Sequence, residues 1–416
     1  MARRKLLILG LSWPEPKATA AGVRMMQLID SFIQSGWDLT FASTAGRTKN
    51  GADLETMGIT VQEIRLNDEA FDLFLEELKP DTVLFDRFIT EEQFGWRVAD
   101  KVPNALRLLD TEDLHSLRSA RKQALEQQVP FDITAWLRLE ETKRELASIY
   151  RCDLSLIISK HEMQLLEDEL KVPRELLLYL PLWTKTDYKS IDKIASFDAR
   201  KDFVFIGNGK HLPNLDAIQY LRTSVWPIIR ELMPAARINV YGAYLPEKVR
   251  SLHAPKLGFH IHGYVENAHT AMQQARINLA PLRFGAGLKG KLLLALENGT
   301  PSITTSVGAE GILDHSIAGE FVFDQPEEFA REAVRLYQNE KEWLLLQAIG
   351  FDVLEAKFDG HHHRKELYST VAQLSARLEA HRTMNFIGAM LHHHSLQSTK
   401  YMSRWISCKN KLKALQ

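Results

Sequence analysis

The sequence predicts an α/β protein in which two doubly wound domains face each other across a cleft and a helical extension follows. Three observations predict this. Short apolar runs alternate with amphipathic segments over residues 1–185, the alternation restarts after a turn-rich, charged stretch at 184–201, and strand character gives out beyond 327. Runs that are apolar throughout and separated by helices belong in parallel sheets covered on both faces. A chain of 416 residues is also too long for one comfortable core.

The first strands are expected at KLLILG (5–10), DLTFAS (38–43), ITVQEIR (59–65), DTVLFD (81–86), ALRLLD (105–110) and LSLIIS (154–159). Between the first two lies VRMMQLIDSFIQSG (23–36), where Met26, Leu28, Ile29, Phe32 and Ile33 share one stripe and Gly36 stops the helix. The second series is expected at FVFIG (203–207), RINVYG (237–242), GFHIHG (258–263), RINLAP (276–281) and SITTS (302–306), with helices over 215–233, 265–275 and 288–298. Domains at 1–185 and 202–345 are then joined by a linker at 186–201. A helical segment at 346–380 returns to the first domain, and 381–416 forms a basic tail.

Composition narrows the class. Cys152 and Cys408 are the only cysteines, which excludes a disulfide framework and a cysteine-rich zinc site and suits a reducing compartment. No apolar run reaches membrane-spanning length, and MARRKLLILGLSW reads as a first buried strand, so a soluble cytoplasmic protein is expected. The formal charge of −1 hides an uneven distribution: residues 52–94 carry twelve acids against three bases, whereas 381–416 carry six Lys or Arg and no acid. The tail therefore has three readings. It wraps across the acidic first domain, it contacts an anionic membrane or lipid-linked acceptor as a peripheral protein at the inner face, or it binds a nucleic acid.

The densest chemistry lies in PLRFGAGLKGKLLLALENGTP (281–301), where Gly285, Gly287 and Gly290 separate a strand from a helix. Such a bend exposes peptide N–H groups, the helix N-terminus adds a positive field, and Lys289 and Lys291 add cations, so a phosphate is a natural guest. Neither GxGxxG nor GxxxxGK[ST] is present, and the bend also reads as a tight corner with solvated lysines. A second loop, TTSVGAEGI (304–312), offers Gly308, Ala309 and Glu310 to hydroxyls or phosphate. In the first domain, LLDTEDLHSLR (108–118) places Asp110, Asp113, His115 and Arg118 directly after a buried strand. These read as general acid–base machinery or as a helix cap beside a surface histidine, and no metal site is expected. Ser159 and Glu162 read as a capping box.

Three pieces in fixed order, FIGNGKHLPNLDAIQYLRTSVWP (205–227), PLRFGAGLKGK (281–291) and TPSITTSVGAEGI (300–312), resemble the retaining glycosyltransferases of family four, glycosyl transferases group 1. The resemblance covers about residues 3–345. It implies the GT-B fold of two Rossmann-like domains, a nucleotide diphosphate sugar as donor without a cofactor or required metal, and hexosyl transfer to a saccharide or lipid-linked saccharide. Gly285, Gly287 and Lys291 would embrace the diphosphate, with Lys291 stabilising the leaving group. Asn208 and Lys210 stand where many relatives place arginine and lysine. Gly22 and Arg24 would face the cleft, His115 would contact the transferred sugar, and Asp113 or Asp110 would orient it or accept a proton. The family's two glutamates, with seven residues between them, are replaced by Ala286 and Leu294. Glu297, one turn on, is either a shifted ribose contact or an exposed residue near the helix end. A phosphate-assisted transfer asks little of a protein carboxylate, so activity is expected to survive. A binding or partner protein that has lost turnover is the alternative reading, and a transferase acting on a nucleic acid acceptor is another.

Overall fold

Short strands buried on both faces leave a parallel sheet no solvated side, and the chain resolves this twice. The computed structural model describes residues 3–184, 194–313 and 321–414. The first sheet contains β1 (Lys5–Gly10), β2 (Asp38–Ser43), β3 (Thr60–Glu63), β4 (Thr82–Asp86), β5 (Leu106–Asp110), β6 (Leu154–Ile157) and β7 (Leu177–Tyr179), in the order β3-β2-β1-β4-β5-β6-β7. The second contains β8 (Phe203–Ile206), β9 (Ile238–Tyr241), β10 (Phe259–Gly263), β11 (Ile277–Ala280) and β12 (Ser302–Thr304), in the order β10-β9-β8-β11-β12. All pairs are parallel. In each sheet the order reverses beside the first strand, between β1 and β4 and between β8 and β11. Those reversals open crevices at the carboxyl ends of the strands. β7, three residues within LLLYLPL, was not among the expected strands.

Helices cover both faces. α1 (Ala20–Gln34) starts a turn earlier than its apolar stripe because Thr19 caps it, accepting from the Gly22 amide at 2.8 Å. Its buried Leu28 and Phe32 pack on Leu6, Ile8 and Phe41. α2 (Arg87–Lys101), α3 (His115–Glu126) and α4 (Glu140–Arg151) close the first domain. The second domain's core gathers Phe203, Trp226, Phe259 and Trp343, each buried completely or nearly so. Each such side chain contributes roughly 1.5–3 kcal/mol.

The first half of the expected linker at 186–201 lies outside the described residues. Its described end belongs to the second domain: Phe197 joins that core, and buried Arg200 donates to the carbonyl of Asn298 and the hydroxyl of Thr300. After α5 (Gly290–Glu297), the C-terminal helices are α6 (Glu340–Lys357), α7 (Gly360–Ala376), α8 (Leu378–Met384) and α9 (Phe386–Ala414). No break falls at 345–346. Asn339 caps α6 and Asp359 caps α7, so the chain crosses to the first domain between 357 and 360. There Thr184 bridges Asp359, and beyond it Leu367 and Val371 enter the core beneath α1.

The basic tail wraps the first domain. Arg382 ion-pairs with Asp153, Lys400 with Asp100 and Lys411 with Glu69. Of its three readings, the wrap is what the structure contains.

Candidate active site

The carboxyl ends of both sheets open on one interdomain cleft of about 830 Å³. On its second-domain side, β11 leads through the glycine bend into α5. The first-turn amides of Gly290 and Lys291 have no intrahelical acceptor, and no described residue accepts from them. The Lys291 ammonium extends over the Phe205 ring and donates to the side-chain carbonyl of Asn214 at 2.7 Å. A neutral amide is its only hydrogen-bond partner among the described residues. Burial pushes Lys291 down to about 7, with the nearby Lys289 cation adding to the effect. A cation so placed, beside a helix N-terminus, has no anionic partner among the described residues.

Other expected ligand residues divide into those on the cleft wall and those turned away. Asn208, Lys210, Gly285, Ala286, Gly287 and Glu297 line the cleft, as does Gly22. Asn208 ties the domains together, its amide donating to the Ala18 carbonyl at 2.9 Å, and Lys210 lies over the Tyr244 ring. Gly22 spends its amide on capping α1 and packs against the backbone of Glu15. Ala286 packs into the first-domain core, and Leu294 lines the cleft beside Glu297. The Glu297 carboxyl has no ion pair or hydrogen bond among the described residues, and burial raises it to about 7.

Gly287 departs from its expected role. Its φ of 64° favours glycine, and a Cβ there would lie 2.7 Å from that of Asp113. Its amide does not point at open space but donates to Glu162 at 2.8 Å. Glu162 also accepts from the Leu114 amide, so it pins the two domains rather than completing a capping box at Ser159.

Arg24, Gly308 and Glu310 are not on the cleft wall. Arg24 is fully buried, clasping Asp110 through two nitrogens and donating to the Leu180 carbonyl at 2.6 Å. Its guanidinium is consumed in joining α1 to the ends of β5 and β7. Gly308 gives its amide to the Thr305 hydroxyl, and a Cβ would lie 1.9 Å from the Thr304 oxygen. Glu310 is held by Arg121 through two bonds of 2.7 Å, with His161 at 3.4 Å and Lys289 at 3.6 Å. Burial works against its charge, but Lys289 and Arg121 keep the carboxyl below the usual range.

Across the cleft, His115 faces Asp113, with 3.3 Å between Nε2 and Oδ1. Burial lowers the imidazole to about 4, so it is neutral at pH 7 and able to hydrogen-bond a sugar hydroxyl. Asp113 is burdened by burial, but Arg118 and His115 hold it well below the ordinary carboxylate range. It therefore suits orienting His115 better than taking a proton.

Sequence reasoning passed over three cleft residues on this wall: Asp86, Arg87 and Glu112. Arg87 and Glu112 hold φ values of 72° and 61°, conformations that cost energy for non-glycine residues. One oxygen each of Asp86 and Glu112 is buried without a hydrogen bond, and burial raises Glu112 to about 8. Asp86 closes a buried strand, the same signal that drew notice to Asp110. His211, from the second domain, also lines the cleft, lowered to about 4 by burial. Among the described residues, no group of three or more His, Cys, Asp or Glu is arranged to hold a metal ion.

Residues 200–339 match the family model described as glycosyl transferases group 1. Comparison with curated proteins gives no match. Among solved structures, sucrose-phosphate synthase from Thermosynechococcus elongatus aligns at 15% identity with a TM-score of 0.66, covering 90% of this chain and 100% of that one. Anabaena HepE, in complex with UDP and glucose, aligns at 11% identity and a TM-score of 0.65, over 89% and 100% of the two chains. The pneumococcal O-GlcNAc transferase GtfA, with UDP and GlcNAc, aligns at 15% identity and 0.53, over 73% and 59%. At these identities the likeness is one of fold, and the GT-B architecture expected from the sequence is the one observed.

Proposed function

We propose that the chain is a group 1 glycosyltransferase that moves a sugar from a nucleoside diphosphate sugar to an acceptor hydroxyl. One observation carries the reading: the Lys291 ammonium, beside α5 amides that find no acceptor among the described residues, has only a neutral side chain for a hydrogen-bond partner among them. Those groups suit a diphosphate, first as ligand and then as leaving group on which negative charge grows. Because structural neighbours were solved with UDP, a UDP-hexose is the first donor to try. Retention of configuration and a place in glycan synthesis are part of the proposal, as is a cytoplasmic location, with which two free cysteines agree.

On the acceptor side, His115 supplies a neutral hydrogen-bonding ring, and Asp86 and Glu112 also line the polar pocket. These groups suit the hydroxyls of a saccharide. Asp113 fixes the ring. Glu297 is the carboxyl nearest in sequence to the position of the missing second glutamate, and a ribose hydroxyl is its suggested partner.

A second reading, a binding protein without turnover, is favoured by Ala286 and Leu294 standing where the family carries glutamates. One experiment separates the two: purified protein is titrated with UDP-, GDP-, ADP- and CDP-sugars, and release of free nucleotide is followed. Transfer predicts micromolar to millimolar binding of one series and nucleotide release. Binding with no release, with or without added saccharides, supports the second reading, and no binding of any donor removes both.

A further inference from the structure

The last helix turns its small polar side chains toward the protein and its large apolar ones away. Ser403 and Ser407, 3% and 5% exposed, hydrogen-bond Asn67 on the first domain, and Ser403 also accepts from Arg97. Opposite them, Tyr401, Trp405 and Leu412 are 65%, 60% and 62% exposed. With exposed Cys408 they recur every three or four residues, the spacing of a single helix face, and exposed Phe386 and Met390 form a separate pair on the same face near the helix start, beyond the polar positions His394, Gln397 and Ser398. Packing on the domain does not account for an apolar face at 401–412 turned to solvent.

Charge names the occupant. Arg404 borders the stripe on one side, and Lys409 and Lys413 border it on the other, with Lys409 over the Trp405 ring. Residues 381–416 contain no Asp or Glu. Lys400 and Lys411, at the inner edge, pair with Asp100 and Glu69.

We propose that this stripe docks the protein on an anionic phospholipid surface, with α9 lying in the plane of the interface. Aromatic rings and aliphatic side chains enter the headgroup boundary while flanking cations meet lipid phosphates. No described helix is long and apolar enough to cross a membrane, so the contact is peripheral. A second copy is the poorer occupant, because a twofold pairing of this helix brings its own cations together. A nucleic acid would use the cations and rings but leave Phe386, Met390 and Leu412 in water.

Cys408 is exposed and Cys152 buried, so the full chain can be labelled at position 408 with an environment-sensitive fluorophore. Phosphatidylcholine vesicles containing about 30% phosphatidylglycerol should shift the emission to the blue and shield it from iodide, whereas phosphatidylcholine alone should not. Tyr401→Ser with Trp405→Ser should lower partitioning about tenfold or more. Lys409→Glu with Lys413→Glu should abolish the preference for anionic vesicles. Both variants should keep the parent melting temperature, because the side chains are exposed. The proposal is overturned by an unshifted label with anionic vesicles at low salt. It is equally overturned by shielding that accompanies a doubled mass without vesicles, or by shielding from a single-stranded oligonucleotide but not from vesicles.

Discussion

Two glycine-containing loops leave neighbouring strands of the second sheet, and they are used in different ways. The loop after β11 leads into an eight-residue helix whose first amides have no acceptor among the described residues and whose Lys291 lines the cleft. The loop after β12 leads into a four-residue helix, Ser306–Ala309, whose Gly308 amide is spent on Thr305 and whose Glu310 is locked to Arg121. Both loops tie the domains together, the first through Gly285 and Gly287 and the second through Glu310, but only the first leaves helix-start amides on the concave wall without an acceptor among the described residues. Glycine and charge in a loop are therefore ambiguous until the partners of each polar group are known.

The comparison breaks most readily at Lys291. Lys291→Ala should weaken UDP-glucose binding about ten- to hundredfold by calorimetry, the loss expected for a hydrogen bond to a charged group, with little change in melting temperature. Unchanged affinity would leave the first loop no more functional than the second.

A pH series sharpens the same point. Lys291 in the free protein loses its proton near 7, having been lowered by burial, and the anion binds the protonated form. Affinity for a UDP-sugar, whose diphosphate does not titrate in this range, should fall about tenfold between pH 6 and pH 8. Lys291→Arg should flatten the profile, because guanidinium keeps its proton. A flat profile in the parent protein would show that the ammonium does not carry the binding.

The second loop should respond in stability. Gly308→Ala forces a methyl toward the Thr304 hydroxyl and should cost about 1–3 kcal/mol. Glu310→Gln frees Arg121 and Lys289 from a partly buried carboxylate and should cost a similar amount, about 1–3 kcal/mol. In both variants donor affinity should stay within about twofold of the parent. A donor defect as large as that of Lys291→Ala would place this loop in the site after all.

The sequence made the frame legible because burial on both strand faces writes itself as continuous apolar runs. KLLILG and DLTFAS became β1 and β2 residue for residue, and the remaining expected strands were trimmed by one to three residues. β7 escaped notice because three residues carry no period. Cleft-lining residues were legible where polar side chains follow soon after a strand end, at His115 and Lys291. The site was illegible where a residue's role depends on a partner distant in the chain. Arg24 meets Asp110, Glu310 meets Arg121, and Glu162 meets Gly287, pairings that only the tertiary fold reveals. Asp86 had a readable signal as the last residue of a buried strand, but it was counted only among the acidic stretch.

The most direct measurement is a crystal structure of the chain with UDP bound. The account predicts diphosphate oxygens within hydrogen-bond distance of the Lys291 ammonium and the Gly290 amide, with the Arg121–Glu310 pair intact. A diphosphate held instead by the second loop, with Arg121 drawn off Glu310 to reach it, would contradict the account.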